Sequence, residues 1–112
     1  MSEEEFNIND DIKILEINSP KNMVGGPYAV VYKNIEERWA IVAMGWGCDP
    51  VLGIRWFWDK KGHPISTGHP VWFVVPSHLN HSILAGLPLK HKFRNQIDKF
   101  LVGDIKGSGL KK

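Results

Sequence analysis

The sequence predicts a single α+β domain, in which a mostly antiparallel sheet of about five strands precedes two C-terminal helices packed on one face. Three observations predict this class. Five short apolar or β-branched segments fall between residues 12 and 75, and the apolar spacing becomes helical after residue 76. The connectors between the strand segments are too short for the crossovers of a parallel sheet. The length of 112 residues fits one domain.

The strand segments are bounded by residues that break regular structure, such as Gly25-Gly26-Pro27. The third segment is apolar at both alternating sets of positions, which predicts a central strand covered on both faces. We predict the five strands at residues 12–17, 28–33, 39–44, 54–58 and 71–75.

Two helices are predicted after the last strand. The first begins at Ser77, a good N-cap residue, and ends at Gly86. The second carries a continuous apolar stripe and ends at Gly103. Its stripe consists of Leu89, Phe93, Ile97, Phe100 and Leu101. We therefore divide the chain into a flexible acidic arm (1–11), one domain (12–103) and a flexible basic tail (104–112).

Composition and charge exclude several classes of protein. The chain has 43% hydrophobic and 23% charged residues, which is typical of an ordinary globular domain and excludes wholesale disorder. No apolar run approaches the roughly 20 residues of a membrane span, and the acidic N-terminus shows no secretory signal. With a single cysteine, Cys48, we expect a cytoplasmic protein. No nucleotide-binding or zinc motif is recognisable, so we expect no cofactor.

The middle third is rich in aromatic residues that could contact a partner. Trp56 and Trp58 alternate with Phe57, so both indole rings should share one face of their strand. If that face is open, the rings form a stacking platform for a base, a sugar ring or a proline-rich peptide. Alternatively, the rings fill the core beneath the helices or form a dimer interface. The predicted ligand-binding residues are Trp46, Arg55, Trp56, Trp58, Lys60 and Lys61, with the three cations at the rim.

Four of the five histidines lie within residues 63–81. His78 and His81 are three residues apart on the first predicted helix, a spacing that could hold a metal ion, although no known zinc spacing is present. Without a metal, His63, His69 and His81 with Lys61 supply the residue types of acid–base RNA cleavage. Solvated histidines without a role are the simpler interpretation.

These patterns lead us to expect a small non-enzymatic binding or regulatory protein with a surface rich in tryptophan and histidine. Its partner would be a protein, a nucleic acid or a small ring-bearing ligand, and not a membrane. The alternatives are a metal-independent ribonuclease that uses the histidines, and a structural module that forms a homodimer through its exposed aromatic residues.

Overall fold

Four antiparallel strands form the main sheet of the domain. The computed structural model describes residues 6–58 and 61–112. In chain order the strands are β1 (Val24–Asn34), β2 (Trp39–Trp46), β3 (Asp49–Trp56), β4 (Ile65–Ser66), β5 (His69–Pro70) and β6 (Phe73–Val74). The main sheet has the order β1–β2–β3–β6, and β4 pairs with β5 in a separate small hairpin. The α+β class and the mostly antiparallel sheet that the sequence predicts are confirmed.

The β2–β3 hairpin has an unbroken register. Trp46 faces Asp49 next to the turn, and Trp39 faces Trp56 at the open end. Gly47, in the turn, has φ +63°, a left-handed conformation that favours glycine. β1 pairs with the other side of β2, and β6 pairs with β3. The hairpin therefore supplies the two inner strands of the sheet.

β2 is buried on both faces, as its continuous apolar sequence predicts. Ile41 and Ala43 belong to a core on the side of the C-terminal helices, which we call the helix face. Ala40, Val42 and Met44 belong to a second core on the opposite side, which the N-terminal segment covers and which we call the arm face. Neighbouring strand residues point to opposite faces, so both cores depend on the same backbone.

The predicted strand over residues 12–17 is wrong, because these residues form helix α1 (Asp11–Leu15). The side chain of Asp10 caps this helix by accepting the backbone N–H of Ile12 at 3.0 Å. Ile14 is fully buried on the arm face, whereas Ile12 is 74% exposed. A good N-cap and the burial of one isoleucine thus outweigh the weak strand preference of the β-branched run.

Both predicted C-terminal helices are present. A 3-10 turn at Ser77–Leu79 leads into α2 (Asn80–Ala85), and α3 spans His91–Leu101. The predicted stripe of α3 is buried through Phe93, Ile97 and Phe100 against the helix face. None of the helices in the described part of the chain combines the length and apolar character that crossing a membrane requires.

Residues 104–112, predicted to be a flexible tail, lie against the domain. Ile105 and Leu110 pack on the helix-face core, and Gly107 is buried beneath the ring of Tyr28. The backbone N–H of Lys111 donates to the side-chain oxygen of Gln96 at 2.8 Å. The mobility of these residues, and the division of the chain into arm, domain and tail, stay predictions.

The segment between β3 and β6 differs from the prediction in its details. β3 begins at Asp49 and ends at Trp56, and the predicted last strand is reduced to the two residues of β6. Between them lies the β4–β5 hairpin, which the sequence analysis missed. Its turn residues Thr67 and Gly68 have φ +47° and +80°, as tight two-residue hairpin turns require.

We predict that Gly53→Ala lowers the free energy of unfolding by about 1–3 kcal/mol, because it overpacks the arm-face core. A methyl group at Gly53 would lie 2.6 Å from the sulfur of Met44 and 3.2 Å from Cβ of Trp72. Both neighbours are buried and have little room to move. Urea unfolding followed by circular dichroism measures the change. Gly109→Ala is the control, since no atom lies within 4 Å of the added methyl. Equal stability of the two variants would contradict the prediction.

Candidate functional site

Trp56 and Trp58 form an exposed pair of indole rings where β3 ends. Their exposed fractions are 38% and 51%. The ring centroids lie 6.4 Å apart and the ring planes are inclined by 50°. We call these two residues the aromatic pair. At this separation the two rings are in contact with each other, and their inclination makes the exposed aromatic surface angled rather than flat.

The turn between β1 and β2 holds this region in place. The indole N–H of Trp58 donates to the backbone oxygen of Glu37 at 2.9 Å, and that of Trp39 donates to the Glu37 carboxylate at 3.2 Å. The side-chain amide of Asn34 donates to the same carboxylate at 2.9 Å, and its oxygen accepts the backbone N–H of Glu37 at 2.8 Å. Two tryptophans are therefore anchored to one residue, which restricts their motion before any partner binds.

Trp39 extends the aromatic surface, although sequence reasoning assigned it only to a buried strand. It is half-buried on the helix face and is the cross-strand partner of Trp56. On its other side its ring centroid lies 5.6 Å from that of Tyr32 in β1. The sequence signal for this pairing is the position of the turn. A two-residue hairpin turn at Gly47 and Cys48 places Trp39 opposite Trp56.

Trp46 does not join the aromatic pair. It lies at the turn end of β2, whereas Trp39 and Trp56 lie at the opposite end of the hairpin. It is half-buried and packs against the arm-face core. The seven-residue separation along β2 corresponds to roughly 23 Å, so Trp46 cannot share a contact surface with Trp56 and Trp58. The expectation of one surface containing all three is corrected accordingly.

Arg55 is buried and does not stand at a rim, which corrects a second expectation. It has no exposed surface, because strand alternation turns it to the arm face beside Phe57. Its guanidinium donates to the backbone oxygens of Pro64 at 3.0 Å, Val71 at 2.6 Å and Lys61. Burial lowers the pKa of Arg55 to about 10, which still leaves it charged at neutral pH. Arg55 therefore connects β3 to the segment that carries the β4–β5 hairpin.

The remaining predicted rim cations are two lysines. Lys61 is exposed, and its ammonium donates to the backbone oxygen of Gly68 at 3.0 Å, so it is directed to the β4–β5 turn. Lys60 lies outside the described residues. Among the described residues, the β1–β2 turn next to the aromatic pair carries the exposed Glu36 and Glu37 and the half-buried Arg38. The guanidinium of Arg38 donates to the backbone oxygens of Phe57 at 3.0 Å and Phe6 at 2.8 Å.

The histidines are distributed over separate elements. His63 pairs through its backbone with Trp56, and His69 lies in β5. His81 lies in α2, where its ring nitrogen is 3.3 Å from the guanidinium of Arg94 in α3. Over residues 6–58 and 61–112, no three His, Cys, Asp or Glu side chains converge as a metal-binding group, so His78 and His81 have no third ligand there. The acid–base set of His63, His69, His81 and Lys61 stays a prediction.

Comparison of the chain with protein family models, with curated proteins and with solved structures gives no match. The functional argument consequently depends on the geometry of the chain itself.

We predict that Glu37→Ala changes the environment of the Trp39 indole and leaves that of Trp58 almost unchanged. The substitution removes the carboxylate that Trp39 contacts but keeps the backbone oxygen that accepts from Trp58. A two-dimensional NMR spectrum of the indole N–H groups measures the chemical shifts of Trp39 and Trp58 together. The expected loss of stability is about 0.5–1.5 kcal/mol. Glu36→Ala is the control, and equal shifts of both indole signals in Glu37→Ala would contradict the assigned contacts.

We predict that Arg55→Met lowers the free energy of unfolding by about 2–5 kcal/mol. The methionine keeps the apolar stem but leaves three backbone oxygens without their donor, and each unsatisfied buried group costs roughly 1–3 kcal/mol. Urea unfolding is the measurement. Lys61→Gln is the control, since Lys61 contributes only its backbone oxygen to Arg55. A loss below about 1 kcal/mol would show that the guanidinium does not organise this segment.

Proposed function

We propose that this protein is a small non-enzymatic binding protein, and that its aromatic pair holds a proline-rich segment of a partner protein. The observation that carries the proposal is that Trp56 and Trp58 are exposed although the indole N–H of Trp58 is anchored to Glu37 and the two rings contact each other. Large rings that are already ordered lose little conformational entropy on binding, so their contact area contributes more fully to affinity. Tryptophan is also enriched among the residues that dominate binding energies.

The inclination of the two exposed indole rings favours proline as the residue of the partner that packs against them. A proline-rich segment forms a polyproline II helix, which exposes compact pyrrolidine rings and is already ordered when free. Aromatic-lined grooves bind such segments by packing against these rings. The two inclined rings of the aromatic pair together expose an angled apolar surface against which such rings can pack.

Charge favours a protein partner over a nucleic acid. The turn that anchors Trp58 carries the exposed carboxylates of Glu36 and Glu37, which repel phosphate groups. The cation of this turn, Arg38, is half-buried and its guanidinium already donates to the backbone oxygens of Phe57 and Phe6. Single-stranded nucleic acids instead bind where cations accompany the stacking rings, and Arg55 is buried on the other face. The same carboxylates attract a lysine or arginine next to the prolines, so the preferred segment carries a basic residue at one end.

The openness of the surface favours a peptide over a small ligand. Sites for small molecules usually bury 70–90% or more of the ligand within a concavity. The aromatic pair lies at the end of a strand with about half of Trp58 exposed, so a small ring would remain largely in solvent. An extended peptide compensates by contacting several side chains along the surface.

We predict that an arginine-capped oligoproline of about ten residues binds the protein and shifts the indole signals of Trp56 and Trp58 in NMR titrations. Trp58→Ala should weaken binding about tenfold or more, as expected for a central aromatic contact. Trp46→Phe should change the affinity less than about twofold, because Trp46 lies on the other face of the sheet. A glutamate-capped peptide should bind more weakly than the arginine-capped one, by roughly twofold to fivefold.

Three results would overturn this proposal. The first is peptide affinity that Trp56→Ala and Trp58→Ala both leave unchanged. The second is salt-dependent binding of single-stranded RNA that these variants abolish while the peptide does not bind, which would assign the surface to nucleic acid. The third is a concentration-dependent mass that Trp58→Ala reduces to that of one chain, which would show that a second copy covers the aromatic pair.

A further inference from the structure

A separate cleft of about 500 Å³ lies between β1 and the start of α3. Its apolar lining includes Val31 and Phe93, which are nearly fully buried, and the half-buried Tyr32 and Leu89. This volume lies within the roughly 300–1,000 Å³ of ligand-binding clefts. The cleft therefore combines a buried apolar floor with room for a small organic molecule.

The charged residues that line this cleft are three lysines. Lys33 belongs to β1, Lys90 precedes α3, and the ammonium of Lys112 lies 5.9 Å from the centroid of the Phe93 ring. The ammonium of Lys33 lies on the arm face, where it pairs with Asp11 at 2.6 Å and donates to the backbone oxygen of Asn9 at 2.9 Å, so only other parts of Lys33 line the cleft. Lys90 and Lys112 are exposed, and no carboxylate side chain is among the lining residues. The positive charge at the cleft comes mainly from these two lysines.

We propose that this cleft binds a small amphipathic anion, namely an alkyl chain that ends in a carboxylate. The apolar lining that solvent reaches, Tyr32, Pro88 and Leu89, would cover the chain above Val31 and Phe93, at about 25 cal/mol for each Å² of apolar surface removed from water. Lys90 and Lys112 would pair with the carboxylate where solvent still reaches. Apolar and cationic parts of the cleft thus match the two parts of one ligand.

The cleft and the aromatic pair are distinct sites on the helix face. Tyr32 lines the cleft and touches Trp39, but Trp56 and Trp58 are not among the residues that line it. The ligand chemistry also differs, because the cleft is bordered by lysines and the aromatic pair by glutamates. The cleft proposal therefore stands or fails independently of peptide binding.

We test the cleft with decanoate as the probe, in isothermal titration calorimetry and NMR titrations of the full chain. Decanoate should bind and shift the backbone signals of Val31, Tyr32 and Phe93, but not the indole signals of Trp56 and Trp58. The double variant Lys90→Gln, Lys112→Gln should bind decanoate about fivefold to tenfold more weakly, because two partly exposed charge pairs are lost. Lys92→Gln is the matched control, since this exposed α3 lysine does not line the cleft.

Three companion probes decide which part of the ligand matters. Acetate, which has the charge without the chain, should bind far more weakly than decanoate. Decanol, which has the chain without the charge, should bind more weakly and should not distinguish the double variant from the original chain. Vesicles of anionic phospholipid should not bind, because the cleft takes a single free chain.

Several outcomes would overturn the cleft proposal. They are no decanoate binding at millimolar concentration, equal affinity of the double variant and the original chain, or shifts centred on Trp56 and Trp58 instead of Val31 and Phe93. Binding to anionic vesicles without binding to free decanoate would likewise overturn it and would assign the lysines to a lipid surface.

Discussion

The burial of β2 on both faces is the constraint on which the rest of the structure depends. Ile41 and Ala43 belong to the helix-face core, and Val42 and Met44 belong to the arm-face core. A shift of the strand pairing by one residue would therefore turn each set to the opposite face. Each set packs against a different part of the chain, the C-terminal helices on one side and the N-terminal segment on the other. The register of the β2–β3 hairpin is fixed by both cores together, and the positions of all residues on β3 follow from it.

Two consequences of that register determine the chemistry of the surface. Because side chains alternate along β3, the same strand turns Arg55 inward and Trp56 outward. Arg55 uses its charge on the backbone oxygens of Pro64, Val71 and Lys61, which connects the β4–β5 segment to the sheet. Its charge is consequently unavailable to a partner. Among the described residues, the β1–β2 turn next to the aromatic pair exposes the carboxylates of Glu36 and Glu37, whereas its cation, Arg38, is half-buried and donates to the backbone oxygens of Phe57 and Phe6.

The helix face carries two regions of opposite charge. α3 covers its centre through Phe93, Ile97 and Phe100, and residues 105–110 pack beside it. At one border of this face, Tyr32 and Phe93 line the cleft that also contains lysines. The aromatic pair lies beyond Trp39, next to the turn that carries Glu36 and Glu37. The Tyr32–Trp39 ring contact lies between the cleft and the aromatic pair.

The sequence by itself determined the α+β class, the central position of β2 and the buried stripe of α3, because each depends on a local apolar period. It also determined that Trp56 and Trp58 share a face, since alternation is a property of any strand. The β-branched residues at 12–17 wrongly predicted a strand, because the Asp10 cap and the burial of Ile14 favour a helix there. Only the tertiary structure decided that Arg55 is buried, that Trp46 lies apart and that Trp39 joins the surface. These outcomes depend on strand register and on which face the helices cover, and both are set by contacts between residues far apart in the chain.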